Sequence, residues 1–178
     1  MDAFEAIQKR RNVSRYLDTP VPDEILDEII RAGFCAPSGL NLQPWYYVVI
    51  RSEDKKKELL HIMEGSNDSI SIYEKEAFTN SVEEAAAVVL VFMYTNDYTD
   101  QRSALMGIAA SVENMLIAAR NRGIATCWFM EGSERVCGKK IRKHFAGDKG
   151  DLISVITLGY AESWPRQLPQ KIDRVVFI

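Results

Sequence analysis

Three short clusters hold the residue types that could bind and orient a flat, charged ligand. The first is Arg10-Arg11-Asn12-Val13-Ser14-Arg15, at the end of an N-terminal amphipathic stretch, with Lys9 just before it. Guanidinium groups can grip a phosphate through paired hydrogen bonds. Cations at a helix C-terminus also answer the helix dipole, and that ordinary role would account for one or two of these arginines. The second cluster is Ala36-Pro37-Ser38-Gly39-Leu40-Asn41-Leu42-Gln43-Pro44-Trp45. Its two prolines fix the backbone, and Gly39 allows a close approach or a positive φ. Ser38 and Asn41 offer short donors and acceptors suited to the polar edge of a ring. A capped turn would also use Asn41, but a mere turn rarely needs so many special residues. The third cluster is Gly123-Ile124-Ala125-Thr126-Cys127-Trp128-Phe129-Met130-Glu131-Gly132. A strand end there runs into a glycine at a helix start, where a planar ligand can lie near backbone amides. Alone, it reads as an ordinary strand–helix junction.

The elements that must position these clusters follow from periodicity. Residues 2–11 predict a helix with Phe4 and Ile7 on one face. Thr19-Pro20-Val21-Pro22 breaks the chain, and 23–35 form a second helix with two offset apolar stripes, hence a broad buried face. The run 45–50 is aromatic and β-branched, a strand. Ser52 is a candidate N-cap for a helix ending at Gly65. Residues 66–80 carry only a weak signal. The run 85–94 has no polar alternation, so it predicts a strand buried on both faces. Residues 103–122 form the longest helix; its small residues allow close approach of another helix, and Gly123 ends it. A strand at 124–129, a short helix at 133–145 and a strand at 152–158 follow. The tail, 161–178, is punctuated by prolines and ends in Val175-Val176-Phe177-Ile178. It reads as an extended arm closing in a strand, and such arms often pair with the sheet edge of a partner. Two helices followed by alternating strands and helices give an α+β domain with a helix-covered sheet.

Composition narrows the function classes. The 178 residues suit one domain. With 22 basic and 25 acidic residues the net charge is −3, too mild and mixed for a nucleic-acid binder. Cys35, Cys127 and Cys137 are odd in number and lack C-x-x-C spacing, which predicts small buried thiols in a reducing compartment. His61 and His144 stand apart from the cysteines and from each other, so a metal site is not expected. The Met-Asp start runs straight into the first amphipathic stretch, and the longest apolar run is far short of the ~20 residues that span a bilayer. The expectation is a soluble cytoplasmic domain with no nucleic-acid or membrane partner.

The three clusters, in this order, resemble the nitroreductase family of flavoproteins over essentially the whole chain. The A-P-S-x-x-N-x-Q-P-W pattern from Ala36 to Trp45 is the most specific part; Arg10-Arg11, Pro20-Val21-Pro22 and Leu158-Gly159-Tyr160 match as well. The resemblance implies a central, mostly antiparallel sheet flanked by helices, in a homodimer with a domain-swapped C-terminal arm and FMN at the interface. It implies that Arg10, Arg11, Asn12 and Ser14 lie near the ribityl phosphate and pyrimidine side of the flavin. Pro37, Ser38, Gly39 and Asn41 would meet the ring from the partner subunit. Phe129, Glu131 and Gly132 would line the face opposite the substrate, and Arg166 in the tail would help hold the phosphate. No catalytic side chain is implied. The flavin itself would carry reducing equivalents from NADH or NADPH, through its N5, to a small acceptor such as a nitroaromatic, a quinone or an enone. The chain departs from the family pattern at Asn12, where serine is usual, at Ser14, where a cation is usual, and at Gln167, where an arginine is expected. Reductive dehalogenation, flavin fragmentation and non-catalytic FMN binding are the alternatives for the same residues.

Overall fold

The computed structural model describes residues 1–65, 72–94, 101–130 and 136–178. Within them the order is α1 (Ala3–Lys9), α2 (Asp23–Phe34), β1 (Trp45–Ile50), α3 (Glu53–Glu64), α4 (Ile72–Glu84), β2 (Ala87–Met93), α5 (Gln101–Asn121), β3 (Ala125–Phe129), α6 (Val136–Phe145) and β4 (Asp151–Gly159). The strands form one sheet in the order β1-β2-β4-β3, antiparallel at every step. The α+β class and the antiparallel sheet expected from the sequence are both present.

The sheet is covered on both faces. Every residue of β2 is buried, and because side chains alternate along a strand, β2 feeds two cores. Val89, Val91 and Met93 join Leu26 and Ile29 of α2 and Ile108, Val112, Met115 and Leu116 of α5. Val88, Leu90 and Phe92 join Leu59, Leu60 and Met63 of α3, Phe78 and Val82 of α4 and Ile141 of α6.

Local chemistry sets most boundaries. Asp2 caps α1, its carboxylate accepting from the Glu5 amide at 2.8 Å. Gly123, at φ 75°, turns the chain out of α5, the left-handed step a side chain resists. Ser52 occupies the N-cap of α3, but its hydroxyl makes no capping bond; its carbonyl accepts from the Lys56 amide instead. Lys56 itself is buried. Its ammonium donates to the Glu83 and Ala85 carbonyls at 3.1 and 2.8 Å and pairs with Glu53, so it satisfies the carbonyls at the end of α4.

Two expectations need correction. The weak stretch 66–80 overlaps α4, whose inward face reduces to Phe78, Ser81 and Val82, too sparse for periodicity to show. Cys127 and Cys137 are buried but Cys35 is exposed, because it caps the outer end of α2. The tail is extended, and within one chain Val175, Val176, Phe177 and Ile178 are all exposed; the pairing expected of them is with a partner copy. The start of the helix expected at 133–145 falls partly outside the described residues, which take it up at Val136. No helix among the described residues is long and apolar enough to cross a membrane.

Gly150 is the tightest point of the fold. It sits at φ 90°, and an added Cβ would lie 1.9 Å from the Met93 carbonyl oxygen. Gly150→Ala is expected to cost at least about 3 kcal/mol in urea unfolding, since neither backbone can yield. Gly147→Ala, at φ 61° with open space around it, should cost only about 1–2 kcal/mol.

Candidate functional site

The first cluster lies on an irregular rail beside β3. Val13 donates its amide to the Thr126 carbonyl at 2.8 Å, Asn12 makes a parallel bridge to Thr126, and Leu17 donates to the Tyr160 carbonyl at 2.7 Å. Tyr16 pins the rail from below. Its hydroxyl donates to the Thr157 carbonyl at 3.0 Å and meets the Thr157 hydroxyl, which is bonded in turn to Ser81. A Cβ on Gly159 would stand 3.0 Å from the Tyr16 ring, so that ring needs a glycine beneath it.

Above the rail, Arg10, Arg11 and Asn12 line a cleft of about 340 Å³ with Pro165, Arg166, Gln167, Leu168 and Gln170. Arg10 reaches Glu113 of α5 at 3.3 Å. Arg11 folds back on the end of α1, donating from Nη1 to the Gln8 and Arg10 carbonyls at 2.8 and 2.6 Å. Its Nη2 donates to Gln167 Oε1 at 2.9 Å, and its Nε is buried with no partner. Ser14 opens onto an adjoining cleft of about 500 Å³, shared with Asn12, Trp164 and Pro165. Arg15 does not stand in for the cation missing at Ser14. Its guanidinium is held by both oxygens of Glu84, at 2.9 and 2.7 Å, and Glu84 also accepts from the Tyr16 amide.

The second cluster sits elsewhere on the chain. Gly33 is packed under Met115, Ser111 and Tyr47. The last carbonyls of α2 are taken up by α5, with Ser111 Oγ donating to Gly33 O at 2.9 Å and Asn114 Nδ2 to Ala32 O at 3.2 Å. The chain then enters a single turn of 3-10 helix, Gly39–Asn41. The positive φ expected of Gly39 falls instead on Leu40 (52°), Asn41 (56°) and Gln43 (48°). Three such residues in four positions is a local strain of order 1–3 kcal/mol each. It is held by the Asn41 amide on the Ser38 carbonyl at 3.0 Å, the Leu42 amide on the Gly39 carbonyl at 3.1 Å and the Gln43 amide on Ser38 Oγ at 3.0 Å. Pro37, Gly39 and Asn41 are exposed and Ser38 half-buried. Ser38 lies over Gly107 of α5, where an added Cβ would come within 3.3 Å of it.

Helix α5 therefore carries both clusters at different heights. Gly107 supports Ser38 and Glu113 holds Arg10. At 1.5 Å per residue these contacts are separated by about 9 Å along the axis. Among the described residues, the three clefts lined by Arg10, Arg11 or Asn12 do not include Pro37, Ser38, Gly39 or Asn41. In the third cluster, Phe129 is half-buried at the end of β3, its ring edge-on to Phe78 with centroids 5.1 Å apart. Glu131 and Gly132 lie outside the described residues. Cys127 is buried in the strand, and burial pushes its thiol up to about 11, so it stays protonated and inert near neutral pH.

Sequence reasoning missed two residues beside the cationic cleft. Arg120, in the last turn of α5, lies over the Trp164 ring, its guanidinium carbon 3.8 Å from the ring centroid. Its Nε is also buried and unpartnered. Burial first, and then the charge of Arg11, lower its pKa from the ordinary arginine value. Glu113 and Arg120 are seven residues apart and share a helix face, a spacing that could have pointed to them.

A cleft lined by Arg10, Arg11 and Arg166, with the unmatched Nε of Arg11 beside it, fits an oxyanion such as a phosphate. The sequence profile of the nitroreductase family matches residues 7–160. The chain is 29% identical over 168 residues to a protein of Methanothermobacter thermautotrophicus provisionally named NADH dehydrogenase/NAD(P)H nitroreductase, covering 93% of this chain and 80% of that one. It is 32% identical over 160 residues to the NADH dehydrogenase of Thermus thermophilus, covering 90% of this chain and 66% of that one. A stretch of 61 residues, 34% of this chain and 23% of the other, is 39% identical to the iodotyrosine deiodinase of Nematostella vectensis. Among solved structures, a nitroreductase with bound FMN from Bacteroides fragilis superposes with a TM-score of 0.81 at 22% identity, covering 100% of this chain and 99% of that one. A nitroreductase-like protein from Bacillus cereus gives 0.81 at 19%, covering 100% and 96%. At such identities the structural likeness establishes the fold.

The bond network behind the second cluster has a measurable signature. Tyr47 bonds Ser111 through its hydroxyl, and burial, offset in part by that bond, pushes the phenol up to about 12. The unfolded phenol titrates near 10, so the unfolded chain releases its proton first. Stability is full below about pH 10 and should fall as pH climbs toward about 12. Burial also pushes the Tyr16 phenol up, so ultraviolet titration should find both tyrosines late. Tyr47→Phe should remove the step at about 12 and leave that of Tyr16, and the alkaline fall in stability should shrink by the Tyr47 share.

Proposed function

The chain belongs to the nitroreductase family, and from that premise we propose that two copies enclose FMN and pass reducing equivalents from NADH or NADPH to a small acceptor such as a nitroaromatic, a quinone or an enone. The observation that carries the reading is the cationic cleft of Arg10, Arg11, Asn12 and Arg166, with the buried, unmatched Nε of Arg11 beside it. FMN, when bound, supplies the two-electron chemistry at its N5.

The residues of this chain bind and orient. Arg10, Arg11 and Arg166 would hold the phosphate, with Asn12 and Ser14 offering hydrogen bonds toward the ribityl chain and the pyrimidine edge. The rail from Asn12 to Leu17 keeps these groups in place before any ligand arrives, so little ordering entropy is lost on binding. The strained turn presents Ser38 and Asn41 beside Pro37 and Gly39, and in this reading it meets the ring of a cofactor held mainly by the partner copy. Phe129, with Glu131 and Gly132 by sequence position, would line the ring face away from the acceptor. Fixed donors and positive charge at such a site favour an electron-rich ligand over water.

Pairing of copies has its own support. Phe4 and Ile7 of α1, Leu105 and Met106 of α5, Leu40 of the turn and the apolar end of the tail are all exposed. Exposed apolar side chains of this size, in a protein with a full core, support a pairing surface. The tail is the natural exchanged arm. Three free thiols, one of them exposed, suit the reducing cytoplasm.

A second reading, reductive dehalogenation, is favoured by the deiodinase likeness. A substrate panel containing nitroaromatics, quinones and halotyrosines separates the two. Purified protein should sediment as a dimer, be yellow with FMN, and bleach when NADH or NADPH is added without oxygen. Arg10→Ala should weaken FMN about tenfold or more. Protein that remains colourless and monomeric in excess FMN would overturn the proposal.

A further inference from the structure

Among the described residues, four buried side-chain polar atoms lack a hydrogen-bond partner, and two of them are the Nε atoms of Arg11 and Arg120. Trp164, over which Arg120 lies, also lines the cleft of Asn12 and Ser14, next to Arg11 in the chain, and the Arg11 charge helps burial to lower the Arg120 pKa. The carboxylates nearby are already engaged: Glu5 pairs with Lys9 at 2.5 Å and Glu113 with Arg10 at 3.3 Å. Gln167, the side chain that does reach Arg11, brings no charge. The tail covers Arg120 with the Trp164 ring. A stacked guanidinium keeps its edge free to donate while its face is shielded from water. Two neighbouring cations, each with an unmet buried donor, are costly unless an anion joins them.

We propose that Arg120 is a further phosphate-binding residue of this chain: with Arg11 it receives the phosphomonoester of the cofactor, and Trp164 holds its guanidinium in the plane that this requires. A phosphomonoester suits the pair because it carries about −1.5 to −2 charge near neutral pH and presents three acceptor oxygens. Arg120 thereby supplies a cation that position 14, a serine, and position 167, a glutamine, do not. The inference rests on the FMN reading above.

The test compares FMN with riboflavin, which lacks the phosphate, by fluorescence titration of the flavin-free dimer. Wild type should bind FMN much more tightly than riboflavin. Arg120→Gln should lose about tenfold or more in FMN affinity with riboflavin affinity unchanged. Arg120→Lys keeps the charge and loses the planar fork; it should lose part of the FMN preference, and it serves if the glutamine variant fails to fold. Inorganic phosphate should weaken FMN binding to wild type and do so less in either variant. An FMN-to-riboflavin ratio unchanged in both variants overturns the inference and leaves the FMN reading standing. A wild-type dimer that binds neither flavin overturns the FMN reading itself.

Discussion

A strand buried on both faces governs this architecture. Every residue of β2, from Ala87 to Met93, is shielded from water, so neither side of the sheet can be left bare. Burial at about 25 cal/mol per Å² of apolar surface rewards a helix on each side. On one side α2 and α5 meet the need; on the other α3, α4 and α6 do. The candidate ligand-binding groups are hung on the outer ends of these layers. The rail follows β3 and is tied to β4 through Tyr16, and the strained turn leaves α2 where α5 receives its last carbonyls.

Helix α5 translates that layering into a site. Toward α2 it offers Ser111 and Asn114, which bond the last carbonyls of that helix, and beside Ser38 it carries Gly107, which lets the turn come close. Its charged positions, Glu113 and Arg120, face the first cluster and the start of the tail. One rigid element thus fixes the height of both clusters, and rigid supports hold binding groups more exactly in place than loops do.

Much of this was legible in the residues, for reasons that differ by element. The unbroken apolar run of β2 and the two stripes of α2 leave little choice of period. Trp45 to Ile50 is a strand because aromatic and β-branched residues follow one another without interruption. Helix α4 was not legible, because its buried face holds few apolar side chains and one serine whose partner, Thr157, is distant in sequence. The strained turn was half legible. Its special residues were visible, but the left-handed backbone falls on Leu40, Asn41 and Gln43, where long-range packing and not intrinsic preference decides. The arginine cluster could be read as phosphate chemistry, whereas Arg120 looked like any cation near a helix end until Trp164 was seen to lie on it. The tail's closing strand was expected from its apolar residues; strands need neighbours, and within the chain Val175 to Ile178 have none.

The parallel bridge between Asn12 and Thr126 has a consequence for how copies of the molecule meet in concentrated solution. It places a stub of backbone along the outer margin of β3, so the residues that face the cleft also deny that margin to a stray strand. At the opposite margin β1 leaves Tyr46 and Val49 open, with Lys149 lying above the tyrosine ring as its gatekeeper. Of the two borders of the sheet, the one at β1 is thus the more open to a stray strand, with the Lys149 charge set over it.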